Sequence, residues 1–294
     1  IRLRKYLCWG MVSFHTLCPM RHLKPALYVF ALNVIISIYL QLNNVLLGFM
    51  KDTEAVGYFT AATKIMVITM SISSALGAVI MPRTSNLIAE ERMDEFKALV
   101  QKSYDFIFAL AMPLMVGLIF TSPSAVLLLS GEGFVPAILT SQIVAFNILT
   151  VGLSGVMGIQ VLYPLGKINI VILCTSIGAI INVFLNVLLI PRYGHNGTAV
   201  AYMLAEMTVT VSMFFIGKRY IPIRFLKRQH LNYVLGSVVM GVCLYFISWL
   251  GLGNTATLVM MISMGGIVYV VILLFLRDSI GMIPWKILRE KFGK

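Results

Sequence analysis

The sequence predicts an all-α protein, a polytopic bundle of about eight membrane-spanning helices, and three observations lead to this prediction. Of the 294 residues, 59% are hydrophobic and 12% are charged, whereas a soluble domain carries about 25% charge. Long apolar runs recur along the chain, and basic residues gather between them. Unbroken apolar runs exclude a β-barrel, whose strands alternate polar and apolar residues. The composition also excludes an ordinary soluble enzyme.

Eight apolar runs are long enough to cross a bilayer core, which needs about 20 residues per helix. They cover residues 26–50, 55–81, 104–129, 136–162, 168–190, 197–216, 231–251 and 255–276. Polar or helix-breaking segments separate several of them, at 51–54, 82–83, 131–133, 164–167 and 191–194. Each such break predicts the end of one helix and the start of another.

The basic residues predict the orientation of the bundle. If the chain starts on the cytoplasmic side, 20 of the 23 Lys and Arg residues lie in cytoplasmic segments. Lys51 and Arg192 alone lie in outer loops, and Lys64 lies within a span. This asymmetry follows the positive-inside rule and places both ends of the chain in the cytoplasm. The net charge of +12 therefore indicates contact with lipid headgroups, and we expect no nucleic-acid partner.

Two cytoplasmic segments contain charged residues interleaved with apolar ones. Residues 83–103 predict an amphipathic helix at the membrane interface, or alternatively a solvated connecting helix. Residues 277–294 have a similar pattern, with Trp285 as an interface anchor. Asp105 follows at the inner end of its span beside Lys102, which predicts an ion pair at the interface.

Two ionisable residues lie deep within predicted spans, where charge is costly and each such residue is a functional hypothesis. Lys64 lies about nine residues into the second span, and either faces a hydrated cavity or extends its flexible stem toward the interface. Glu206 lies near the middle of the sixth span. It must be protonated, paired or hydrated, so it either couples transport to protons or makes a packing hydrogen bond.

Uncharged polar residues form stripes at helical spacing in three spans. The stripes are Asn33, Ser37, Gln41 and Asn44; Thr60, Lys64, Ser71 and Ser74; and Gly178, Asn182 and Asn186. A single amide most often joins neighbouring membrane helices. Three stripes, one of them containing a lysine, favour the hydrated interior of a transporter.

Motifs for catalysis, metal binding or cofactor binding do not occur. The sequence has no H-E-x-x-H, no G-x-S-x-G and no phosphate-binding loop, and its four Cys residues form no C-x-x-C pair. We therefore expect no metal, no cofactor and no enzymatic activity.

Three groups of residues resemble the Wzx-type polysaccharide flippases of the multidrug/oligosaccharidyl-lipid/polysaccharide exporter superfamily. The first group covers 38–48 and 54–65, with Gln41, Asn44, Thr60 and Lys64. The second is Met81, Pro82 and Arg83 with Ser85. The third joins Asn182 and Asn186 to Pro191, Gly194 and Gly197. Related sequences often have Asp where this chain has Asn43.

The resemblance implies a fold of two six-helix lobes arranged as an inverted V around a hydrated cavity. Residues 25–216 would be the second lobe, and residues 217–276 would supply a cytoplasmic connector and two additional transmembrane helices. Residues 1–24 would link the lobes, and residues 277–294 would form a cytoplasmic amphipathic tail. An N-terminal six-helix lobe would then be missing, and the sequence would be a piece of a longer chain.

The resemblance also implies a function in the bacterial cytoplasmic membrane. Such flippases move undecaprenyl-diphosphate-linked oligosaccharides to the outer face for O-antigen, capsule or exopolysaccharide synthesis. Five residues are the substrate-binding candidates: Lys64, Asn33, Gln41, Asn44 and Thr60. Glu206 is the coupling candidate, and Asn182, Asn186, Pro191, Gly194 and Gly197 form the structural motif.

Two alternatives remain open at this point. A multidrug exporter of the same superfamily would share the fold, although its cavity would favour acids for cationic drugs. A membrane polymerase or ligase of the polysaccharide pathway would share the composition, but would need a large outer loop with clustered charges.

Overall fold

The structure is a computed structural model that describes residues 19–221, 224–225 and 227–276. Its secondary structure is helical throughout: α1 Pro19–Met50, α2 Thr53–Ala89, α3 Met93–Ser130, α4 Ala137–Val144, α5 Phe146–Gly155, α6 Ile168–Gly217, α7 Arg228–Ser248 and α8 Asn254–Phe275. A 3-10 turn, Glu132–Phe134, precedes α4, and a π-helical segment, Val156–Leu162, follows α5. The predicted amphipathic tail, 277–294, and most of the predicted linker, 1–24, lie outside the described residues.

The predicted helical membrane bundle is confirmed. All eight predicted spans coincide with helices, although the one predicted at 231–251 ends at Ser248. By length and composition, five helical stretches in the described part of the chain could cross a membrane. They are Met93–Ser130, Ala137–Leu162, Ile168–Gly217, Arg228–Ser248 and Asn254–Phe275.

α6 consists of two helical halves that meet at a sharp kink, and these halves are the fifth and sixth predicted spans. The predicted break at 191–194 is confirmed at Gly194, where the backbone leaves helical geometry. Gly194 has φ 53° and ψ −131°, a conformation that is open almost exclusively to glycine. The kink folds the second half of α6 back along the first, and Gly178 lies against Ala205 and Val209.

The C-terminal end of α2 differs from the prediction. Pro82 does not end the helix, and α2 continues to Ala89 before a tight turn leads into α3. The prediction of one interface helix over residues 83–103 is therefore wrong, because the segment is divided between two helices. Leu87, Phe96 and Val100 bury their side chains in one cluster where α2 meets α3, and this burial outweighs the loss of one N–H donor at proline.

The helices pack in an order that places three of them around the candidate site. α1 and α2 both contact α6, and α2 also packs against α3 and α4. α7 and α8 pack against each other and against α3, on the side away from α1. The large buried side chains between α3, α7 and α8 include Tyr233, Leu244 and Met261. The first six predicted spans therefore form one packed body, and the last two attach to it through α3.

Candidate functional site

A cleft of about 370 Å³ opens between α1, α2 and the second half of α6. Its lining comprises Gln41, Asn43, Asn44, Phe59, Thr63, Lys64, Met66, Val67, Ile68 and Tyr202. Lys64 is the one charged residue in this lining. The cleft therefore combines a cation and amide groups with apolar walls, which is the composition expected for a ligand with an anionic group and an apolar part.

Lys64 is on α2 and lines this cleft, where it is exposed. It lies eleven residues after the start of α2, which is about 17 Å along the helix axis. No salt bridge joins Lys64 to an acid within the described residues. The ammonium group is therefore available to an anion from outside the bundle.

The other predicted substrate-binding residues differ in their roles. Gln41 is exposed and lines the cleft beside Lys64. Asn44 also lines the cleft, but its Oδ1 accepts a 3.4 Å hydrogen bond from the Thr60 hydroxyl. Thr60 is absent from the cleft lining, and this bond joins α2 to α1. The side chain of Asn33 lies outside the described residues, although its backbone belongs to α1.

A buried amide network joins α1 to the first half of α6. The Asn186 Nδ2 donates to Asn43 Oδ1 over 2.8 Å and to Asn182 Oδ1 over 3.1 Å. Asn182 and Asn186 are fully buried, and Asn43 is 1% exposed. Sequence reasoning identified Asn182 and Asn186 but treated Asn43 only as a departure from its relatives. The polar stripe of the first predicted span did not predict a role for Asn43, because its partner Asn186 lies 143 residues away along the chain.

The residues after this network shape the kink of α6. Pro191 lies inside the helix just before the bend, and Gly194 supplies the positive φ. A Cβ atom on Gly197 would lie 2.6 Å from the carbonyl oxygen of Leu189. Gly197 therefore allows the two halves of α6 to approach closely directly after the turn.

Glu206 lies on the second half of α6, where it is 9% exposed. It lies one turn from Tyr202, which lines the cleft, and the two side chains interact electrostatically. Its backbone carbonyl accepts a 2.8 Å hydrogen bond from Thr210. Glu206 is therefore close to the cleft without being part of its lining.

Sequence reasoning missed a buried ion cluster in the N-terminal part of α3. Asp105 does not pair with Lys102 as predicted. Its Oδ2 instead accepts a 2.6 Å bond from Lys227, and its Oδ1 accepts a 3.0 Å bond from His230 Nε2. The backbone N–H of Lys227 donates to His230 Nδ1 over 3.2 Å, so the proton of the neutral imidazole is on Nε2. Gln101 also donates to Asp105, over 2.9 Å.

This cluster attaches α7 and its preceding connector to α3. Gln101 accepts from the backbone N–H of Arg224, and the Tyr104 hydroxyl donates to the carbonyl of Phe225. The His230 ring stacks on Phe108 with centroids 4.7 Å apart. Lys227 and His230 lie more than 120 residues after Asp105, so the sequence does not indicate that they pair with it. The basic residue near Asp105 in the sequence is Lys102, three residues before it.

We expect Asp105→Asn to lower the free energy of unfolding by about 2–3 kcal/mol, because it leaves Lys227 without its counter-charge in a partly buried site. Thermal unfolding in detergent would measure the loss. In a double-mutant cycle with Lys227→Met, the second substitution should cost less in the Asp105→Asn background than in the wild type. Additive losses would show that the pair contributes no coupling energy.

The described residues contain no group of three or more His, Cys, Asp or Glu side chains that could hold a metal ion. The side chains of the cleft itself offer two kinds of contact to a ligand. A lysine can bind a phosphate or carboxylate group, and amides can hydrogen-bond to hydroxyl or amide groups of a ligand.

Two comparisons of the sequence with known proteins gave matches. A family model described as a polysaccharide biosynthesis protein matches residues 10–139. The probable low-salt glycan biosynthesis flippase Agl15 of Haloferax volcanii is 25% identical over 276 residues, which cover 91% of this chain and 58% of that protein. The chain thus spans less than two thirds of the length of this curated relative.

A solved structure shows the same fold. The lipid II flippase MurJ in an inward closed conformation superimposes with a TM-score of 0.73 at 17% identity, over 85% of this chain and 53% of MurJ. Together with several helices that could cross a membrane, these matches establish a multi-pass membrane protein. They also confirm the resemblance drawn from the sequence motifs, which is a similarity to the Wzx-type polysaccharide flippases of the multidrug/oligosaccharidyl-lipid/polysaccharide exporter superfamily.

Proposed function

We propose that the chain is part of a flippase that moves lipid-linked oligosaccharides across a membrane, and that Lys64 binds the diphosphate of the substrate. The substrate class that we propose is an oligosaccharide linked through diphosphate to undecaprenol. It would be turned from the cytoplasmic to the outer face of a bacterial cytoplasmic membrane, for O-antigen, capsule or exopolysaccharide synthesis. The observation that carries this proposal is the exposed Lys64 in a cleft between α1, α2 and the second half of α6.

The cost of placing Lys64 in the membrane supports an anionic ligand. A lysine at the centre of a membrane helix costs about 2.5–3.5 kcal/mol on insertion scales, unless water or an anion compensates it. In surroundings of low dielectric constant, its attraction to a phosphate is also stronger than in water. The diphosphate is the strongly anionic group common to such substrates, whatever their sugars.

The apolar and amide groups of the cleft fit the rest of such a molecule. Val67 and Ile68 are exposed apolar residues on the wall beside Lys64, and they are suited to contact a lipid chain. Gln41 is exposed at the same cleft, where its amide can bind a sugar hydroxyl. Asn44 and Thr60 would then hold α1 against α2, and Asn44 would contact the substrate through its second amide atom.

The arrangement of lobes is part of this proposal. Residues 25–216 would form the second lobe of a two-lobe transporter, and residues 217–276 would add the connector, α7 and α8. A six-helix N-terminal lobe would close the cavity that Lys64 faces. The partial coverage of both flippase relatives supports this arrangement.

The nature of the cleft favours this function over multidrug export. A cavity for cationic drugs needs acids, and none of the ten residues of the cleft lining is acidic. The names of the matched relatives favour a transporter over a polymerase or ligase.

Complementation of a flippase-deleted strain with the full-length gene would test the proposal. We expect the gene to reduce the lipid-linked repeat units trapped inside the cell and to restore surface polymer. Expression in the membrane with unchanged trapping would contradict the proposed substrate class. The host must make a repeat unit that this flippase accepts. Flippase-deleted strains whose repeat units contain different sugars should therefore be compared.

Glu206 is the proposed coupling residue, and Glu206→Gln tests this role. If the carboxyl group carries a proton during transport, the Gln protein should reach the membrane at normal level but lose the pH dependence of flipping, because an amide does not titrate. Flipping of lipid-linked substrate in vesicles would be measured over a pH series. A normal pH profile in the Gln variant would contradict the coupling role and leave a packing role.

A further inference from the structure

α2 has one exposed side, which continues beyond the cleft toward the C-terminal end of the helix. The opposite side packs against the bundle and buries Met66, Ser73 and Thr84, which share one helical face. Among the side chains that the structure describes, the exposed ones recur about once per turn. They are Lys64, Val67, Ile68, Ser71, Val79, Pro82, Arg83 and Asn86, and we call this set the open face of α2.

The open face has two cations and no acid. Between Ala55 and Ala89, α2 contains no Asp or Glu, and Lys64 and Arg83 are its basic residues. Within the described residues, no salt bridge joins Arg83 to an acid. The next acid along the chain is Glu90, about two turns after Arg83, and it is bonded to Arg92 over 2.8 Å. The Arg83 guanidinium is therefore available to an anion from outside the bundle.

The residues around Arg83 leave it and one amide as the polar groups of this end of the open face. The Thr84 and Ser85 hydroxyls both donate to the carbonyl of Met81, so they are engaged within the helix. Asn86 is exposed and lies one turn after Arg83. A guanidinium presents two parallel N–H groups to a phosphate, and an amide adds a further donor. Arg83 and Asn86 thus form a cation and amide pair, as Lys64 and Gln41 do at the cleft.

The two cations lie far apart on the same helix. Lys64 and Arg83 are separated by nineteen residues, which is about 28 Å along the helix axis. This separation is close to the thickness of a bilayer core, about 30 Å. The sequence between them is uncharged, and Val67, Ile68 and Val79 are its exposed apolar residues. An anionic headgroup that crosses alongside α2 therefore meets a cation at each end of an uncharged stretch.

We propose that Arg83, with Asn86 beside it, is a first binding site for the substrate diphosphate, and that Lys64 receives the diphosphate afterwards. This inference rests on the proposed function. The positive-inside rule predicts that the Arg83 end of α2 lies in the cytoplasm, where such a substrate would be made. Arginine suits this position, because its guanidinium is weakly hydrated and binds phosphate through two bonds. Lys64 then compensates the diphosphate after it has left both Arg83 and the surface water.

Binding of undecaprenyl diphosphate in the Lys64→Ala background tests the Arg83 site by itself. The full-length protein would be placed in phosphatidylcholine nanodiscs, and native mass spectrometry would measure the bound probe. We expect the Lys64→Ala protein to retain the probe. The further change Arg83→Gln should weaken binding about tenfold, because charge-assisted hydrogen bonds are lost, and Arg83→Lys should restore part of it. A Lys64→Ala protein that binds no probe, or that binds it equally well with Arg83→Gln, would overturn the first site.

Arg92→Gln is the matched control, because it removes the same side chain from the turn after α2, where Arg92 is already bonded to Glu90 and Glu95. It should leave probe binding unchanged, and an equal loss would show only a general attraction of the basic surface for anionic lipid, which refutes the site. Asn86→Ala is an independent test and should weaken binding about threefold. Equimolar phosphatidylglycerol should leave most of the probe bound. Its complete displacement would indicate a general headgroup site and contradict the diphosphate site.

The two cations should also affect different parameters of flipping in vesicles. Arg83→Gln should raise the substrate concentration for half-maximal flipping about tenfold and leave the maximal rate near the wild-type value, since bound substrate still reaches Lys64. Lys64→Ala should instead abolish the maximal rate. A lower maximal rate at an unchanged half-maximal concentration in Arg83→Gln would contradict a first binding site.

The binding measurement separates this inference from the proposed function. It requires neither transport nor a sugar, so probe binding that depends on Arg83 would support the site even if complementation failed. Conversely, successful complementation with binding that does not depend on Arg83 would leave the flippase function intact and refute the site.

Discussion

Replacing Lys64 with Ala is expected to abolish flipping while the protein still reaches the membrane at its normal level. The physical reason is that Lys64 supplies the positive charge of the cleft lining. A diphosphate drawn into an apolar cleft without a cation would lose its hydration without compensation. Removal of the lysine also relieves an insertion cost, so the variant should not be less stable. Accumulation of lipid-linked repeat units on the cytoplasmic side would measure the loss.

Three further variants make the Lys64 test specific. Lys64→Arg should keep partial function, because a guanidinium also binds phosphate, whereas Lys64→Glu should be at least as damaging as Ala. Lys51→Ala is the matched control, since Lys51 is an exposed lysine just before α2 and lies outside the cleft lining. A Lys64→Ala protein that is present at normal level and still exports polymer would refute the diphosphate role and favour a lysine that only extends to the interface.

Gly197→Ala is expected to cause a large structural loss, about 2–3 kcal/mol of unfolding free energy. A Cβ at position 197 would lie 2.6 Å from the carbonyl oxygen of Leu189 and 2.8 Å from its carbonyl carbon. Both are backbone atoms, so no side-chain rotation can relieve the clash. The kink of α6 would have to open, and this movement would displace Glu206 and its neighbours. Thermal unfolding in detergent and the amount of protein in the membrane would report the loss.

Gly133→Ala is the appropriate control for this prediction. A Cβ at Gly133 would meet no atom within 4 Å, so the same chemical change should leave the unfolding temperature nearly unchanged. If Gly197→Ala were as stable as Gly133→Ala, the close approach after the kink would not be a determinant of the fold.

The sequence predicted the helical elements well, and their polar residues in part. Each of the eight apolar runs falls on helical segments, because the length of an apolar helix is a local property. The three-residue and four-residue spacings also identified Gln41, Asn44 and Lys64, which the structure brings to one cleft. Thr60 was placed on the same stripe, but it bonds to Asn44 instead of lining the cleft.

Both errors arise where a residue contacts another helix that the local sequence does not indicate. Lys102 was chosen for Asp105 because it lies three residues away, but Lys227 and His230 reach the same carboxylate from the start of α7. Pro82 was read as a helix end, and packing of Leu87 beyond it carries the helix further. In both cases the prediction used neighbouring residues in the sequence, whereas the structure is determined by packing against another helix.

The sequence by itself predicted a helical membrane bundle. It also identified polar residues that lie within apolar helices, and the family that the chain resembles. Only the tertiary structure decided which polar groups satisfy one another. It paired Asn43 with Asn186 and left Lys64 exposed in a cleft. The physical reason is that the hydrophobicity of a segment depends on its own residues alone. A buried hydrogen bond, in contrast, forms only where the packing of two helices brings a donor and an acceptor together.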